Sequence, residues 1–450
     1  MTRTIIEGGF IATVDQGGTE HATGHVVIDG GIITAVGAGA APDRDGAKVV
    51  DATGCLVTPG LVNTHHHLYQ WLTRGYSQDS ILFDWLTALY PLWSRIDADL
   101  TAAGAAGAMA VLARSGCTTV GDHHYVFPQG SGDIVGGLVQ SASRIGVRLH
   151  ATRGSMDLGA SQGGLPPDFA IETTDAALAA SQEAVERHHD PAFGSLVQIA
   201  IAPCSPFSVT ADLLRESAVL ARSLGVRLHT HASETAEEDA YCAERFGMTP
   251  TQYLEDLGWL GDDVWMAHGV HLDAAAIARY AATGTGVAHC PSSNGRLAAG
   301  IAPVRDLLRA GVPVGLGVDG AASNESGQLG VEIREAVLMN RLRTGADSFS
   351  VRDALRIATI GGARVLGRDA ELGSLEPGKV ADVAVWRVDG VEHAGILDPV
   401  AALGLGALPP LHRLFVGGRA IVEEGTLTSA EEPVIAEEVA AASRALAARL

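Results

Sequence analysis

Gly-Leu-Val-Asn-Thr-His-His-His-Leu-Tyr-Gln, residues 60–70, is an apolar run that ends abruptly in three histidines. In an extended strand alternate side chains share a face, so His65 and His67 point the same way and His66 points to the opposite side. Two imidazoles side by side at a strand end can occupy adjacent positions around a divalent metal ion. The stretch therefore predicts a metal site at the end of a strand.

From residue 60 to about residue 365, apolar strand-like runs alternate with helical stretches rich in Ala and Leu. This alternation predicts parallel strands with crossover helices, and eight runs are the number expected for a closed (β/α)8 TIM-like barrel. The runs are Leu61–His67, Thr118–His124, Arg148–Ser155, Val197–Cys204, Val226–His231, Val264–His268, Gly286–Cys290 and Val314–Asp319. Nearly all end in polar residues, where such barrels carry their active sites. An open doubly wound sheet is the alternative, but the count and the shared polarity favour closure.

The segments on either side of the barrel predict short β-strands separated by Gly and Asp turns. Neither segment is large enough to be stable alone. We therefore expect residues 1–59 and 366–428 to form one small β-sandwich domain beside the barrel of residues 60–365. Residues 429–450 are rich in Ala and Glu and predict a C-terminal helix packed on the outside.

The composition excludes several classes of protein. A net charge of −21 repels phosphate backbones, so we expect no nucleic-acid partner. No window predicts a transmembrane helix, and the first residues lack the basic and apolar regions of a signal peptide, which indicates a cytoplasmic protein without a membrane partner. The five scattered cysteines contain no CxxC pair, which argues against a disulfide framework and a thiolate zinc site.

Lysine is almost absent from this chain. Of 31 basic residues only Lys48 and Lys379 are lysines, and neither follows a candidate metal-binding strand. A mechanism that needs a lysine in the metal site, as a Schiff base or a carbamate bridge, therefore has no residue to use.

Three later runs also end in candidate metal ligands or acids. His231 ends the fifth run; His229 lies on the same face one layer deeper and is the competing ligand, but His231 is nearer the mouth. Glu234 follows past the strand end, where it can aim a carboxylate at an open position of the metal. His268 ends the sixth run as a ligand or as an acid that polarises water or substrate. Asp319 ends the eighth run, either as a ligand or as the cap of the next turn.

Three neutral imidazoles and one carboxylate, without thiolate, are ligands that suit Zn²⁺ or Fe²⁺. We expect one divalent metal ion per chain, Zn²⁺ in preference to Fe²⁺. A single metal that keeps one open position can lower the pKa of a water molecule towards neutrality. The ligand set therefore predicts a hydrolytic enzyme.

Five motifs together resemble the amidohydrolase superfamily, in its mononuclear deaminase and chlorohydrolase branch. The motifs are Asn-Thr-His-His-His (63–67), His-Thr-His-Ala-Ser-Glu (229–234), Ala-His-Gly-Val-His (267–271), His-Cys-Pro-Ser-Ser-Asn (289–294) and Gly-Val-Asp-Gly-Ala-Ala-Ser-Asn (317–324). The segment 373–382, Gly-Ser-Leu-Glu-Pro-Gly-Lys-Val-Ala-Asp, extends the resemblance over nearly the whole chain.

The resemblance implies the residues of the site. His65, His67, His231 and Asp319 hold the metal, and Asp319 also accepts the proton of the attacking water. Glu234 shuttles protons, and His268 orients the attacking water or the leaving group. As a group, Glu234, His268 and Asp319 are the expected catalytic residues.

Four further stretches resemble 8-oxoguanine deaminases most closely, with triazine hydrolases and pterin deaminases as near relatives. They are residues 64–70, 122–128, 153–156 and 202–208. Gln70 stands where guanine-type deaminases place an amide that reads the purine edge, and its donor and acceptor match a lactam; its alternative role is loop packing. His124 and Ser323 are further candidate substrate contacts. Cys204 is expected as a pocket wall, in the place where guanine deaminases of this superfamily carry an Arg.

The resemblance implies hydrolytic deamination of 8-oxoguanine to uric acid and ammonia by an aminohydrolase. The uncharged Cys204 in place of an Arg argues against plain guanine as the preferred substrate. The alternatives are an isoxanthopterin deaminase or an s-triazine aminohydrolase or chlorohydrolase. A non-catalytic assembly protein on the same scaffold would be expected to lose ligands, and this chain keeps them. We expect a homo-oligomer; Trp71, Trp85 and Trp93 after the first strand form either a lid over a flat heterocycle or part of a subunit interface.

Overall fold

The computed structural model describes residues 3–450 of the chain. Its strands are β1 (Thr4–Glu7), β2 (Phe10–Ala12), β3 (Glu20–His21), β4 (Gly24–Asp29), β5 (Ile32–Ala38), β6 (Lys48–Asp51), β7 (Cys55–Pro59), β8 (Leu61–Asn63), β9 (Cys117–His124), β10 (Arg148–Ser155), β11 (Val197–Pro203), β12 (Leu228–Ala232), β13 (Val264–His268), β14 (Gly286–His289), β15 (Val314–Leu316), β16 (Val383–Arg387), β17 (Leu411–Val416), β18 (Arg419–Glu423) and β19 (Thr426–Leu427).

The helices surround the barrel and close the chain. They are α1 (Leu82–Trp93), α2 (Ala98–Arg114), α3 (Ile134–Ile145), α4 (Thr174–His188), α5 (Ala211–Leu224), α6 (Ala236–Phe246), α7 (Pro250–Asp256), α8 (Ala274–Thr283), α9 (Pro291–Arg296), α10 (Val304–Ala310), α11 (Leu329–Thr344), α12 (Val351–Arg356), α13 (Gly362–Val365), α14 (Pro399–Leu405) and α15 (Glu432–Ala447). Short 3-10 helices cover Leu68–Thr73, Ala160–Gln162 and Asp168–Ala170, and a π-helical turn covers Ile357–Gly361. Within residues 3–450, none of the helices has the length and apolar character needed to span a bilayer.

The predicted (β/α)8 barrel is confirmed. Strands β8 to β15 run parallel around a closed barrel, and β8 pairs with β9 on one side and with β15 on the other. Two strands end several residues earlier than predicted. The first ends at Asn63 rather than at His67, and the eighth ends at Leu316 rather than at Asp319. In both cases the chain leaves the ladder before the ligands, because the loops must bend inward to bring those side chains together.

The lower part of the barrel is filled with side chains. Trp265 stacks on His229, with ring centroids 4.3 Å apart, and packs in one apolar cluster with Val62, Ala200 and Ala288. Val365 and Leu366 join the same cluster from the end of α13. Because this end is packed shut, a substrate site can lie only at the opposite end, where the strands terminate.

Two sheets flank the barrel. One has the strand order β5-β4-β1-β6, and the other has the order β19-β18-β17-β16-β7-β2-β3, which joins strands from both ends of the chain. Its central pairing is β7 with β16, antiparallel. Residues from both sheets share one apolar cluster, which includes Ile6, Val57 and Val383. This arrangement supports one β-sandwich built from the two terminal segments; the boundaries at residues 59, 366 and 428 stay a prediction.

Candidate active site

The strand ends and loops at the upper end of the barrel bring the four expected ligands into contact. Asp319 Oδ1 lies 3.2 Å from His65 Nε2 and 3.3 Å from His67 Nε2. His67 Nε2 lies 3.1 Å from His231 Nε2. All four side chains are buried. Residues that are 254 positions apart in the sequence therefore meet because β8 and β15 are neighbours in the closed barrel.

Backbone carbonyls fix the orientation of two of these imidazoles. His67 Nδ1 lies 2.6 Å from the carbonyl oxygen of His123, and His231 Nδ1 lies 2.7 Å from that of Cys204. Because a carbonyl oxygen only accepts hydrogen bonds, each ring carries its proton on Nδ1. The Nε2 lone pairs of His67 and His231 are therefore left to face the centre of the site.

His229 fixes the third imidazole. His229 Nδ1 donates to the carbonyl oxygen of Trp265 at 2.9 Å, so its Nε2 is an acceptor. That atom lies 2.8 Å from His65 Nδ1, which must be the donor. The Nε2 of His65 is then a lone pair that faces Asp319. His229 thus contacts a candidate ligand from below, and this geometry favours His231 over His229 in the ligand set.

The arrangement fits a divalent cation. Three imidazole lone pairs and one carboxylate converge, and among residues 3–450 no hydrogen-bond donor satisfies His65 Nε2. Burial lowers the pKa of His231 to about 3, so that ring is neutral. Acceptors this close repel one another unless a cation lies between them.

Glu234 and His268 form a second group beside the ligands. His268 Nε2 lies 3.5 Å from Glu234 Oε2 and 3.9 Å from Asp319 Oδ2, and His268 Nδ1 lies 3.0 Å from Asn294 Oδ1. Burial raises the pKa of Glu234 to about 7. Burial alone would lower the pKa of His268, but Glu234 and Asp319 raise it above its usual value. A carboxyl group with this pKa can both donate and accept a proton near neutral pH.

Three residues of the site adopt left-handed backbone conformations. The φ angles are +54° at Ser233, +74° at His268 and +65° at Asp319. Such conformations cost about 1–3 kcal/mol each in residues other than glycine and persist only where the surroundings hold them. Two of the three residues carry the expected chemistry, and the third precedes Glu234.

A cavity lies against this cluster. Its apolar walls come from α1 (Leu82, Trp85 and Leu86) together with Phe207 and Leu297. Gln70, Cys204 and Ser323 line it as expected from the sequence. Tyr90 and Tyr125 also line it. Sequence reasoning missed these two tyrosines, although Tyr125 directly follows the histidines that end β9.

His124 does not line the cavity. Its Nε2 donates to the carbonyl oxygen of Val126 at 2.8 Å, and its ring packs against Tyr69 with centroids 4.8 Å apart. Alternate residues of a strand point to opposite sides, and here His123 is the residue that faces the barrel interior, stacked on His231 at 4.7 Å. We therefore assign no substrate contact to His124.

The three tryptophans that follow the first strand separate in space. Trp85 lines the cavity and donates its Nε1–H to the carbonyl oxygen of Ala322 at 3.3 Å. Trp93 packs behind it, with centroids 5.1 Å apart. Trp71 lies instead beside α2 and α15, close to Gly107 and Val439. Only Trp85 is therefore placed to cover a bound molecule.

Comparison with known proteins agrees with this geometry. Residues 56–407 match the model of the amidohydrolase family. The chain belongs to the amidohydrolase family. It is 44% identical over 453 residues to an 8-oxoguanine deaminase from Pseudomonas aeruginosa, covering 99% of this chain and 100% of the relative. It is 39% identical to an isoxanthopterin deaminase of an unknown prokaryotic organism, covering 84% and 83% of the two chains.

Solved structures of this amidohydrolase's relatives share its fold. An atrazine chlorohydrolase from Arthrobacter aurescens TC1, complexed with zinc, superposes with a TM-score of 0.93 at 32% identity, covering 98% of this chain and 100% of that one. The family and the fold predicted from the sequence are thus confirmed, as is a hydrolase that acts on carbon–nitrogen bonds.

The relay from His229 to His65 generates a prediction. His229→Phe keeps a ring against Trp265 but removes the acceptor that fixes the proton of His65 on Nδ1. We expect the affinity for Zn²⁺ to fall by about 10–100-fold, as for other partners of metal-binding histidines. Competition with a chromogenic chelator measures that affinity.

His150→Phe is the matched control, because His150 also packs on Trp265, with centroids 5.6 Å apart, without contacting an expected ligand. It should leave the Zn²⁺ affinity unchanged. Equal affinities of the His229→Phe variant and the unaltered protein would show that the relay does not orient His65.

Proposed function

We propose that this amidohydrolase is a metal-dependent deaminase that converts 8-oxoguanine and water to uric acid and ammonia. The observation that carries the proposal is the cavity itself, which is lined by an amide, Gln70, by a proton-carrying carboxyl group, Glu234, and by residues of the candidate metal cluster. The full-length similarity to an 8-oxoguanine deaminase supports the same substrate class.

We assign the metal ligands to His65, His67, His231 and Asp319, for which the converging lone pairs are the support. A divalent metal ion bound there supplies Lewis acidity, which makes water a nucleophile near neutral pH. Asp319 accepts a proton from the attacking water. Glu234 donates its proton to the ring nitrogen of the amidine, then takes the proton of the added hydroxyl group and passes it to the departing amine, so that ammonia leaves. The proton on Asp319 returns to Glu234 and restores both carboxyl groups. His268, held by Asn294, orients the water or the leaving group.

The cavity walls suit a flat heterocycle. Trp85 and Leu86 from α1 and Phe207 from the loop after β11 provide apolar surfaces for the ring faces. Substrate binding then depends on a few polar groups at the ring edges.

The Gln70 amide is free to read one edge of the substrate. Neither its oxygen nor its nitrogen has a hydrogen-bond partner within the part of the chain that the structure describes. The amide lies so close to Gly320 that a Cβ atom there would collide with it. Glycine at this position therefore lets the amide approach the loop that carries Asp319.

Cys204 supports an oxidised purine over guanine. Burial raises the pKa of its thiol to about 12, so the side chain is neutral. A neutral wall in place of an Arg offers no cation to an unmodified guanine, whereas small polar groups can pair with an extra oxo group on the imidazole ring.

We further propose Zn²⁺ as the resident metal, a role in purine catabolism, a cytoplasmic location and a homo-oligomeric state. Three imidazoles with one carboxylate support Zn²⁺, and the related chlorohydrolase was solved with zinc. Five cysteines without a disulfide support a reducing compartment. Val391 and Leu397, exposed at 86% and 96%, support an interface between copies of the chain.

Glu234→Gln tests the proton shuttle. The exchange keeps the shape of the side chain and removes the titrating group, so turnover should fall by roughly 10²–10⁴-fold while the metal content stays at one ion per chain. Steady-state ammonia release and elemental analysis measure the two quantities. If kcat stayed near normal, the shuttle would have to be reassigned, in the first place to His268.

Substrate preference is tested by ammonia release from 8-oxoguanine, guanine, isoxanthopterin and an s-triazine side by side. An unpaired buried polar group costs about 1–3 kcal/mol, so kcat/KM for 8-oxoguanine should exceed that for guanine by about ten-fold or more. Gln70→Leu should lower kcat/KM for 8-oxoguanine by a similar factor, and Gln78→Leu, an exposed glutamine nearby, is its control. A clear preference for isoxanthopterin or the triazine would overturn the substrate assignment and keep the mechanism.

A further inference from the structure

Two fully buried glutamates, Glu238 and Glu332, lie behind the site and have no part in the proposed chemistry. Each is 0% exposed, and neither lines the cavity. A buried carboxylate is costly unless its oxygens accept hydrogen bonds. The partners of these two carboxylates are therefore informative, and they differ between the two glutamates.

Glu238 holds the turn that carries Glu234. It lies in the first turn of α6, and its side chain reaches back past the start of the helix. Oε1 accepts the backbone N–H of Ser233 and Oε2 accepts that of Glu234, both at 2.9 Å. Ser233 is the residue with the left-handed backbone. One carboxylate thus fixes two successive peptide groups immediately before the Glu234 side chain.

Glu332 connects the first turn of α9, which follows β14, to the loop after β15. From α11, its Oε2 accepts the backbone N–H of Ser292 at 3.1 Å, and its Oε1 accepts Nδ2–H of Asn324 at 2.8 Å. Asn324 Nδ2 also donates to the carbonyl oxygen of Val318 at 2.9 Å. The residue before Asp319 is therefore tied, through Asn324, to Glu332.

Helix α9 in turn contacts the expected ligand Asp319. Ser293, next to Ser292, donates its Oγ–H to Asp319 Oδ2 at 2.6 Å. Glu332 therefore supports the Asp319 carboxylate from both sides, through the backbone of its own loop and through the hydroxyl group that contacts it. No hydrogen bond of Glu332 leads to Glu234 within residues 3–450.

We propose that Glu238 and Glu332 are positioning residues with separate tasks: Glu238 fixes Glu234 for proton transfer, and Glu332 fixes Asp319 for metal binding. The inference rests on the roles assigned to Glu234 and Asp319 in the proposed function. Neither carboxylate touches substrate or metal. Each acts by removing the freedom of a loop whose side chain must be placed within a fraction of an ångström.

Glutamine is the sharp substitution at both positions. Its shape matches that of glutamate. The carboxylate accepts hydrogen bonds from two N–H groups, whereas the amide can accept from only one of them and turns its own NH2 towards the other. One hydrogen bond is lost and a donor is left unpaired in a buried place. The loop then relaxes without the removal of any side-chain volume.

The two variants should fail in different ways. Glu238→Gln should lower kcat by about 10–100-fold, as expected for a misplaced catalytic group, with the affinity for Zn²⁺ unchanged. Glu332→Gln should lower the affinity for Zn²⁺ by about 10–100-fold, which chelator competition measures without any turnover. Glu237→Gln and Glu335→Gln, neighbours that are less buried on the same helices, are the matched controls and should change neither quantity.

A double-mutant cycle separates positioning from general damage. If Glu238 acts through Glu234, adding Glu238→Gln to Glu234→Gln should cause no further loss of kcat. A further 10-fold loss in the double variant, or an equal loss of Zn²⁺ affinity in the Glu238→Gln and Glu332→Gln variants, would overturn the division of tasks. Near-normal kcat in the single variant Glu234→Gln would instead refute the proposed shuttle, and the Zn²⁺ affinity of the Glu332→Gln variant would still be decisive for Glu332.

Thermal unfolding followed by circular dichroism shows whether the variants fold. If a glutamine variant does not fold, Glu238→Asp, which keeps the charge but shortens the reach, and Asn324→Ala, which removes the link from the partner side, take their places. The expected pattern is the same: Glu238→Asp should change kcat, and Asn324→Ala should change the affinity for Zn²⁺. The reverse pattern would overturn the proposal.

Discussion

The site depends on lone pairs from three imidazoles and one carboxylate that converge with no proton between them. Carbonyl oxygens and His229 use up the N–H groups of the three imidazoles, and the Asp319 carboxylate faces the lone pairs that remain. In a buried place this arrangement is unfavourable by itself, because acceptors repel and water is excluded. A divalent cation converts that repulsion into attraction. The fixed tautomers therefore preorganise the ligands, and binding of a metal ion relieves the repulsion between them.

The rigid barrel stabilises this otherwise unfavourable arrangement of acceptors. Its packed lower half, with Trp265 stacked on His229, gives the relay a rigid base. The left-handed residues are His268, at the end of β13, and Asp319, in the loop after β15, and they are held by Asn294 and Ser293 of α9. One layer further out, Glu238 and Glu332 accept hydrogen bonds from the segments that carry the site residues. The ligands and the proton-carrying groups thus lie at the strand ends or in the loops that follow them, and residues one layer outward hold them in place.

Much of the fold follows from patterns that a sequence displays directly. The eight apolar runs predicted the barrel, since periodicity and length distinguish strands from crossover helices. The strand ends at Asn63 and Leu316 were not predictable, because leaving the ladder is decided by tertiary contacts. The sequence does not locate the end of β7, because Thr58-Pro59-Gly60 has the composition of a turn and the pairing partner β16 lies more than 300 residues away.

In the candidate site, too, some residues could be predicted from the sequence and others depend on tertiary contacts. Histidine and carboxylate spacing indicated the metal cluster, because strand ends in a barrel converge. His123 and His124 are adjacent in a strand, so their side chains face opposite sides. Alternation alone does not show which of the two faces the barrel interior. Tyr90 reaches the cavity only through the path of α1 across the barrel mouth. The buried Glu238 and Glu332 resemble ordinary surface acids in helices, and only their partners in space distinguish them.

X-ray absorption spectroscopy of the purified, metal-loaded protein is the most direct test of this account. It reports the number and type of atoms around the metal without reference to turnover. The account predicts one divalent ion per chain, with three imidazole nitrogens and the remaining contacts from oxygen, at distances of about 2.0–2.2 Å for zinc. A sulfur atom in the coordination sphere, or a fully active protein with no bound transition metal, would contradict it.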